Sequence, residues 1–240
     1  MGAQAHAEWL LDRKTYRPLV IEMDALGTHF IDALFGDHVR FHEGQVWSET
    51  LPIDIADLEM PDMGRSRVYE ASLRLARLAV EAAQGRLFIA TPVLSCPINI
   101  GINLFGDRLL TALMERPDTA RRALRIITEV IAETICTFAA IIPPEQRLNS
   151  VGNERYAPPG FGFIDNCATQ LISARHYREF FAPLDAELLG LYPRGGQIHL
   201  CGGHRQHIRA WSEMPQVRSV QLNDRAADDF ARAGPRGRRP

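Results

Sequence analysis

The sequence has little of what marks the more easily recognised protein classes. Its four cysteines, Cys96, Cys136, Cys167 and Cys201, are scattered through 240 residues without a CxxC pair. Nothing here resembles a disulfide framework, and a reducing, cytoplasmic setting is the simpler expectation. The net charge is only -2, which gives no reason to expect nucleic acid or an anionic membrane surface as a partner. No uninterrupted apolar run approaches membrane-spanning length. The first residues place Glu8, Asp12, Arg13 and Lys14 around a very short apolar stretch, unlike a secretory signal. His6 breaks the myristoylation pattern that Met1-Gly2 would begin. Internal repeats and low-complexity segments are lacking. No Gly-rich phosphate loop follows the first apolar run, which weakens a nucleotide-binding reading.

What is present is a core. Hydrophobic residues make up 46% and charged residues 23%, enough for one large domain or two small ones. Short apolar runs at 19–21, 87–90, 161–164, 197–201 and 219–222 are apolar on both faces and end in Gly, Asp, Asn or Pro. Buried parallel strands read this way. The stretches between them have helical period. One helix is expected from Pro117-Asp118 to Pro143-Pro144, with Ala120, Leu124, Ile127, Ile131, Ile135 and Phe138 as its core stripe. A second is expected over 67–84, with Gly85 just past its end. A third is expected over 174–191, capped by Ser173, and a shorter one after Gly202-Gly203. Alternation of strand and helix predicts an α/β fold with a parallel sheet over 1–224, either an open doubly wound sheet or a closed barrel, with the barrel favoured. In such folds ligands gather at the C-terminal ends of the strands.

Four strand ends carry polar residues. The strand read over 87–95 ends at Ser95-Cys96-Pro97, with Asn99 and Asn103 beyond. The next ends at Asp165-Asn166-Cys167, the third at His199 and Cys201, and the fourth at Asn223-Asp224. Side chains alternate along a strand, so His199 and Cys201 share a face. Imidazole and thiolate are a start on a zinc site, although a catalytic zinc takes three protein ligands. The alternative is a buried histidine with a backbone partner beside an inert cysteine. His204 and His207 lie three apart on a predicted helix, either adding a ligand or a contact to an anionic substrate, or simply opening a solvated helix. Asp165 suits a substrate or acid–base group, or a cap. Asn223-Asp224 reads similarly, and Asp224 also suits the cap of a helix from Arg225. Asn99 and Asn103 would hydrogen-bond a ligand or brace a loop. Arg65 and Arg108 are candidate carboxylate partners or surface groups.

At these strand ends the chain resembles the uroporphyrinogen decarboxylase superfamily, which includes the haem-pathway decarboxylase and zinc-dependent methyltransferases acting with corrinoid proteins and thiols. The first block is Thr91-Pro92-Val93-Leu94-Ser95-Cys96-Pro97 with Leu104-Phe105-Gly106 and the Pro117 helix. The second is Phe163-Ile164-Asp165-Asn166-Cys167-Ala168, then Leu171-Ile172-Ser173 and Phe180-Phe181-Ala182-Pro183. The third is Ile198-His199-Leu200-Cys201-Gly202, similar to an "H-x-C-G" strand of the methyltransferase branch. Together they span 85–224. Residues 16–61, with Ala33-Leu34-Phe35-Gly36 and Asp57-Leu58, fit the family's earlier part more loosely.

The resemblance implies a (β/α)8 barrel, here over 1–224 and incomplete at its C-terminus, with its active site at the C-terminal face. It implies zinc on His199 and Cys201, beside which Asp165 would be the catalytic group that orients substrate; Asn99, Asn103, Asn166, His204 and Asn223, read from their places at the strand ends, would surround a small-molecule substrate. It implies a thiol-type methyl acceptor and a methyl donor such as a corrinoid protein. The chain also departs from the family. The decarboxylase's Arg-rich N-terminal motif has no match, its Tyr falls on Asn103 and its Ser on Asn166, and Asp24 is only a loose counterpart of its catalytic Asp. The branch's third zinc-ligating Cys has no counterpart after Cys201. These departures leave decarboxylation of a tetrapyrrole carboxylate as an alternative activity, and an inactive fragment as another. The stretch 225–240, ending Gly234-Pro235-Arg236-Gly237-Arg238-Arg239-Pro240, differs in composition from everything before it. It reads as a basic tail for anions or, in preference, as a truncated or out-of-frame end, since such a barrel takes ~250 residues or more.

Overall fold

A computed structural model describes residues 18–23, 25–36, 39–150 and 156–223. Asp24, Asp224 and the basic stretch 225–240 lie outside the described residues. The strands are β1 Val20–Glu22, β2 Val39–His42, β3 Gln45–Ser48, β4 Phe88–Thr91, β5 Arg147–Ser150, β6 Tyr156–Ala157, β7 Gly162–Asp165, β8 Gly196–Cys201 and β9 Val217–Asn223. The helices are α1 Arg67–Ala83, α2 Pro97–Phe105, α3 Asp107–Glu115, α4 Pro117–Ile141, α5 Ala174–His176, α6 Ala182–Gly190 and α7 Ile208–Glu213.

The α/β alternation read from the sequence is present. Strands β1, β4 and β5 pair in parallel, with β6 antiparallel at the edge. Strands β7, β8 and β9 form a second parallel sheet. The barrel, expected to be incomplete, does not close among the described residues: the two sheets remain separate in their ladders, joined by one parallel bridge between Ser95 and Asp165. In that bridge Asp165 N–H donates to Leu94 O at 3.1 Å and Cys96 N–H to Asp165 O at 2.9 Å. The strand expected over 87–95 is shorter, because Pro92 has no N–H for the ladder and β4 stops at Thr91. The hairpin of β2 and β3, which the periodicity did not indicate, turns at Glu43 and Gly44, both at positive φ.

Helix α4 has the core stripe expected of it, with Ala120, Leu124, Ile127, Ile131 and Phe138 all buried. Helix α1 is capped by Ser66, whose Oγ accepts from Tyr69 N at 3.3 Å, and ends at a left-handed Gln84 before Gly85. The helix expected over 174–191 starts as read, with Ser173 Oγ accepting from His176 N, but is not regular. A π-turn, Tyr177–Phe181, separates α5 from α6. Pro183, in the first turn of α6, has no N–H to continue an i→i−4 ladder, and the wider turn absorbs the break. No helix of the described residues is long and apolar enough to cross a membrane.

The strand β7–β8 contact is set by two glycines opposite each other, Gly162 and Gly196. A Cβ on Gly196 would lie 2.5 Å from Leu189 Cδ2 and 2.8 Å from the carbonyl oxygen of Gly162. A backbone oxygen cannot swing aside as a side chain can. Gly196→Ala is therefore expected to cost about 1–3 kcal/mol as an overpacked core site, seen as a lower urea midpoint. An unchanged midpoint would show that β8 can move off β7.

Candidate metal centre

Strand β8 alternates as its sequence requires. Ile198 and Leu200 are fully buried, while His199 and Cys201 emerge half-buried on the opposite face. Next to it, β7 ends at Asp165, which pairs with His199. Asp165 Oδ1 accepts from the backbone N–H of Cys167 at 3.2 Å. This Asx-type turn curls the chain past the strand end and brings Cys167 beside β8, where the N–H of Cys201 donates to its Sγ at 3.1 Å.

The result is a three-residue cluster. The ligand atoms of Cys167, His199 and Cys201 all lie within 4.8 Å of one another. His199 Nε2 sits 3.1 Å from Cys201 Sγ, and its Nδ1 meets Gln221 Oε1 at 2.5 Å. Gln221 thereby fixes the ring so that Nε2 faces the sulfurs, the arrangement that orients a metal-ligating imidazole. Asn223 Nδ2 donates to Cys201 Sγ at 3.6 Å. Burial, and next the Asp165 carboxylate, push the Cys167 thiol well above the usual range. A cation there would reverse this and favour the thiolate. The donor set of one nitrogen and two sulfurs suits zinc, and three protein ligands leave a fourth position open for substrate. Tetrahedral zinc needs sulfurs about 3.8 Å apart, compatible with the spacing in this cluster.

The other residues singled out in the sequence lie at the cluster, beneath it or away from it. Asp165 and Asn223 stand at the cluster. Asn99 lies beside it, its Oδ1 accepting from Ala168 N at 2.8 Å. Asn166 and His204 are fully buried beneath it. Asn166 Nδ2 donates to Asp185 Oδ2 at 2.7 Å. His204 spends both ring nitrogens, Nε2 on the Cys201 carbonyl at 2.6 Å and Nδ1 on Thr169 Oγ1 at 3.0 Å. A solvated helix start is not their setting: His204 precedes the helical turn, and both it and His207 are enclosed with Trp211, 5.9 and 5.6 Å from its ring. Asn103 is drawn to Asp32, its Nδ2 donating at 2.7 Å. Arg108 donates to the carbonyls of Leu51, Ile53 and Phe105, and Arg65 pairs with Asp62 on the surface.

The sequence reading missed Cys167 as a cluster member. Its signal was the Asp165-Asn166 pair before it, which favours a local turn after a strand. It also missed Gln221 and the buried Asp185.

No family model and no curated protein matches this chain. Among solved structures, it is similar to a methyltransferase from Methanosarcina mazei at 14% identity and a TM-score of 0.62, over 85% of this chain. The chain spans 64% of the length of that structure, and the likeness, at this identity, is one of fold.

Proposed function

We propose that this protein is a zinc-dependent methyltransferase that methylates a thiol-type substrate, with a corrinoid protein or another methyl carrier as donor. The observation that carries the reading is the convergence of Cys167, His199 and Cys201 at the C-terminal ends of two neighbouring parallel strands. The fold shared with a methyltransferase supports it. Zinc held there would supply Lewis acidity, lowering the pKa of a thiol bound at the open position. The chain's own residues do the rest. Gln221 orients His199, the Cys201 N–H and Asn223 donate to the two sulfurs, and Asp165 shapes the turn and orients the substrate.

The purified protein is expected to carry about one zinc per chain, as a three-ligand catalytic site does. It is also expected to move a methyl group from methylcobalamin to a small thiol. Cys201→Ser should lose both. Absence of zinc from both the wild type and the variant would sink the proposal.

A further inference from the structure

Helix α2 carries two amides one turn apart, and they hold different things. Asn99 accepts from Ala168 N, directly after Cys167. Asn103 donates to Asp32 Oδ2. Residues i and i+4 share a helix face and lie about 6 Å apart along the axis. One short rigid element therefore sets the spacing between the metal cluster and a second pair, His29 and Asp32.

Asp32 is fully buried, and its Oδ2 meets His29 Nδ1 at 2.6 Å. The His29 side chain is 19% exposed. A carboxylate only accepts, so Nδ1 carries the proton, and in the neutral ring Nε2 is the acceptor. Nε2 has no hydrogen-bond partner among the described residues. The pair follows β1 and is tied to the cluster side of the sheets. Ser95 Oγ donates to Thr28 O at 3.1 Å, Ser95 bridges Asp165, and Asp165 pairs with His199.

An imidazole held through one nitrogen by a buried acid, and open at the other, is built as a general base. We infer that His29 is the proton acceptor for the thiol substrate, with Asp32 and Asn103 as its positioning residues. The inference rests on the thiol methyl-transfer reading above. In that reaction the substrate S–H bond breaks and its proton passes to His29 Nε2. The electron pair stays on sulfur and forms the new S–CH3 bond, while the donor keeps the pair of the bond it loses. The imidazolium is balanced by Asp32 until product leaves and the proton passes to solvent. No reactant beyond thiol and methyl donor is required.

A proton count tests this without turnover. The full chain, loaded with Co2+, is titrated with 2-mercaptoethanol near neutral pH in weak buffer. The sulfur-to-cobalt absorption band counts bound thiol, and a pH indicator counts protons released. The wild type is expected to retain most of each thiol's proton, whereas His29→Gln releases roughly one per thiol bound. Asp32→Asn, which removes the carboxylate that balances the imidazolium, should release more than the wild type. Equal counts in wild type and His29→Gln overturn the base assignment and leave the methyl-transfer reading standing. Should His29→Gln fail to fold, an Asp32→Asn count equal to the wild type's overturns the assignment instead. Failure of the metal-loaded wild type to bind thiol overturns the methyl-transfer reading, and the inference with it.

Discussion

Cys167→Ser is expected to strip zinc from the protein as thoroughly as Cys201→Ser. With Cys167 replaced, only His199 and Cys201 remain of the cluster, and two ligands do not hold a catalytic zinc. A serine hydroxyl is a poor substitute, because it is not ionised at neutral pH. Substitution of groups that merely orient ligands already costs 10–100-fold in affinity, so loss of a ligand should cost at least ~100-fold. The fold should tolerate the change. Serine keeps the backbone N–H that Asp165 caps and an acceptor for the Cys201 N–H. Competition against a zinc-binding dye measures the affinity, and a urea melt of the metal-free protein checks the fold. Cys136→Ser is the control, since Cys136 is exposed and outside the cluster. A Cys167→Ser protein that holds zinc like the wild type would mean that the third ligand lies elsewhere.

Cys167 is not legible from strand period alone. His199 and Cys201 were legible because the period of a strand is fixed at two. That period says which side chains share a face, but not which strand lies alongside. Cys167 joins them only through the register of β7 on β8, in which Asp165 faces His199 and the next residues lead toward Cys201. Register between parallel strands is a tertiary property, set here by the close approach at Gly162 and Gly196. Strand β5 was missed for a different reason. Its residues Arg147–Ser150 include a buried Asn149, which takes Thr91 Oγ1 at 3.1 Å and gives its amide to Phe161 O at 2.6 Å. Hydrogen bonds stabilise that burial, and apolar patterning does not register them. Helix α4 was plain because its proline start, long stripe and proline stop all agree. The barrel was an inference from strand–helix alternation and the family resemblance, and among the described residues the ladders of the two sheets are joined by the bridge of Ser95 and Asp165.

The buried carboxylate beneath the cluster gives the other large effect: Asp185→Asn is expected to stabilise the protein above pH 7. Asp185 Oδ2 accepts from Tyr177 Oη and from Asn166 Nδ2, both at 2.7 Å. Its Oδ1 and the Oδ1 of Asn166 are both buried without partners among the described residues. Burial, opposed by these two hydrogen bonds, pushes the carboxyl up to about 7 from 3.8. In the window between those values the folded protein holds a proton that the unfolded chain has released. Its contribution is thus complete below pH 3.8 and lost as pH rises through about 7. The loss is on the order of 4 kcal/mol. Asparagine has the same shape, keeps an acceptor for Tyr177 and Asn166, and carries no charge to bury. Above pH 7 the variant should gain about 2 kcal/mol or more, while in acid, where Asp185 is already neutral, the two proteins should differ by less than ~1 kcal/mol. A second group in the same cluster makes the profile diagnostic. His207, 4.9 Å from the Tyr177 ring, is lowered by burial from 6.5 to about 4. Its contribution has the opposite sign, present above pH 6.5 and lost as pH falls through about 4. The wild type thus has two opposed slopes, and Asp185→Asn leaves only that of His207. Urea midpoints between about pH 4 and 8 should therefore diverge toward high pH, with the variant losing stability more steeply on acidification. Parallel profiles would show that Asp185 is ionised in the folded state, and that its orphaned oxygen has found a donor. The Asn166 amide it holds is next to Cys167, so the same substitution should leave zinc affinity intact only if the replacement amide keeps that loop in place.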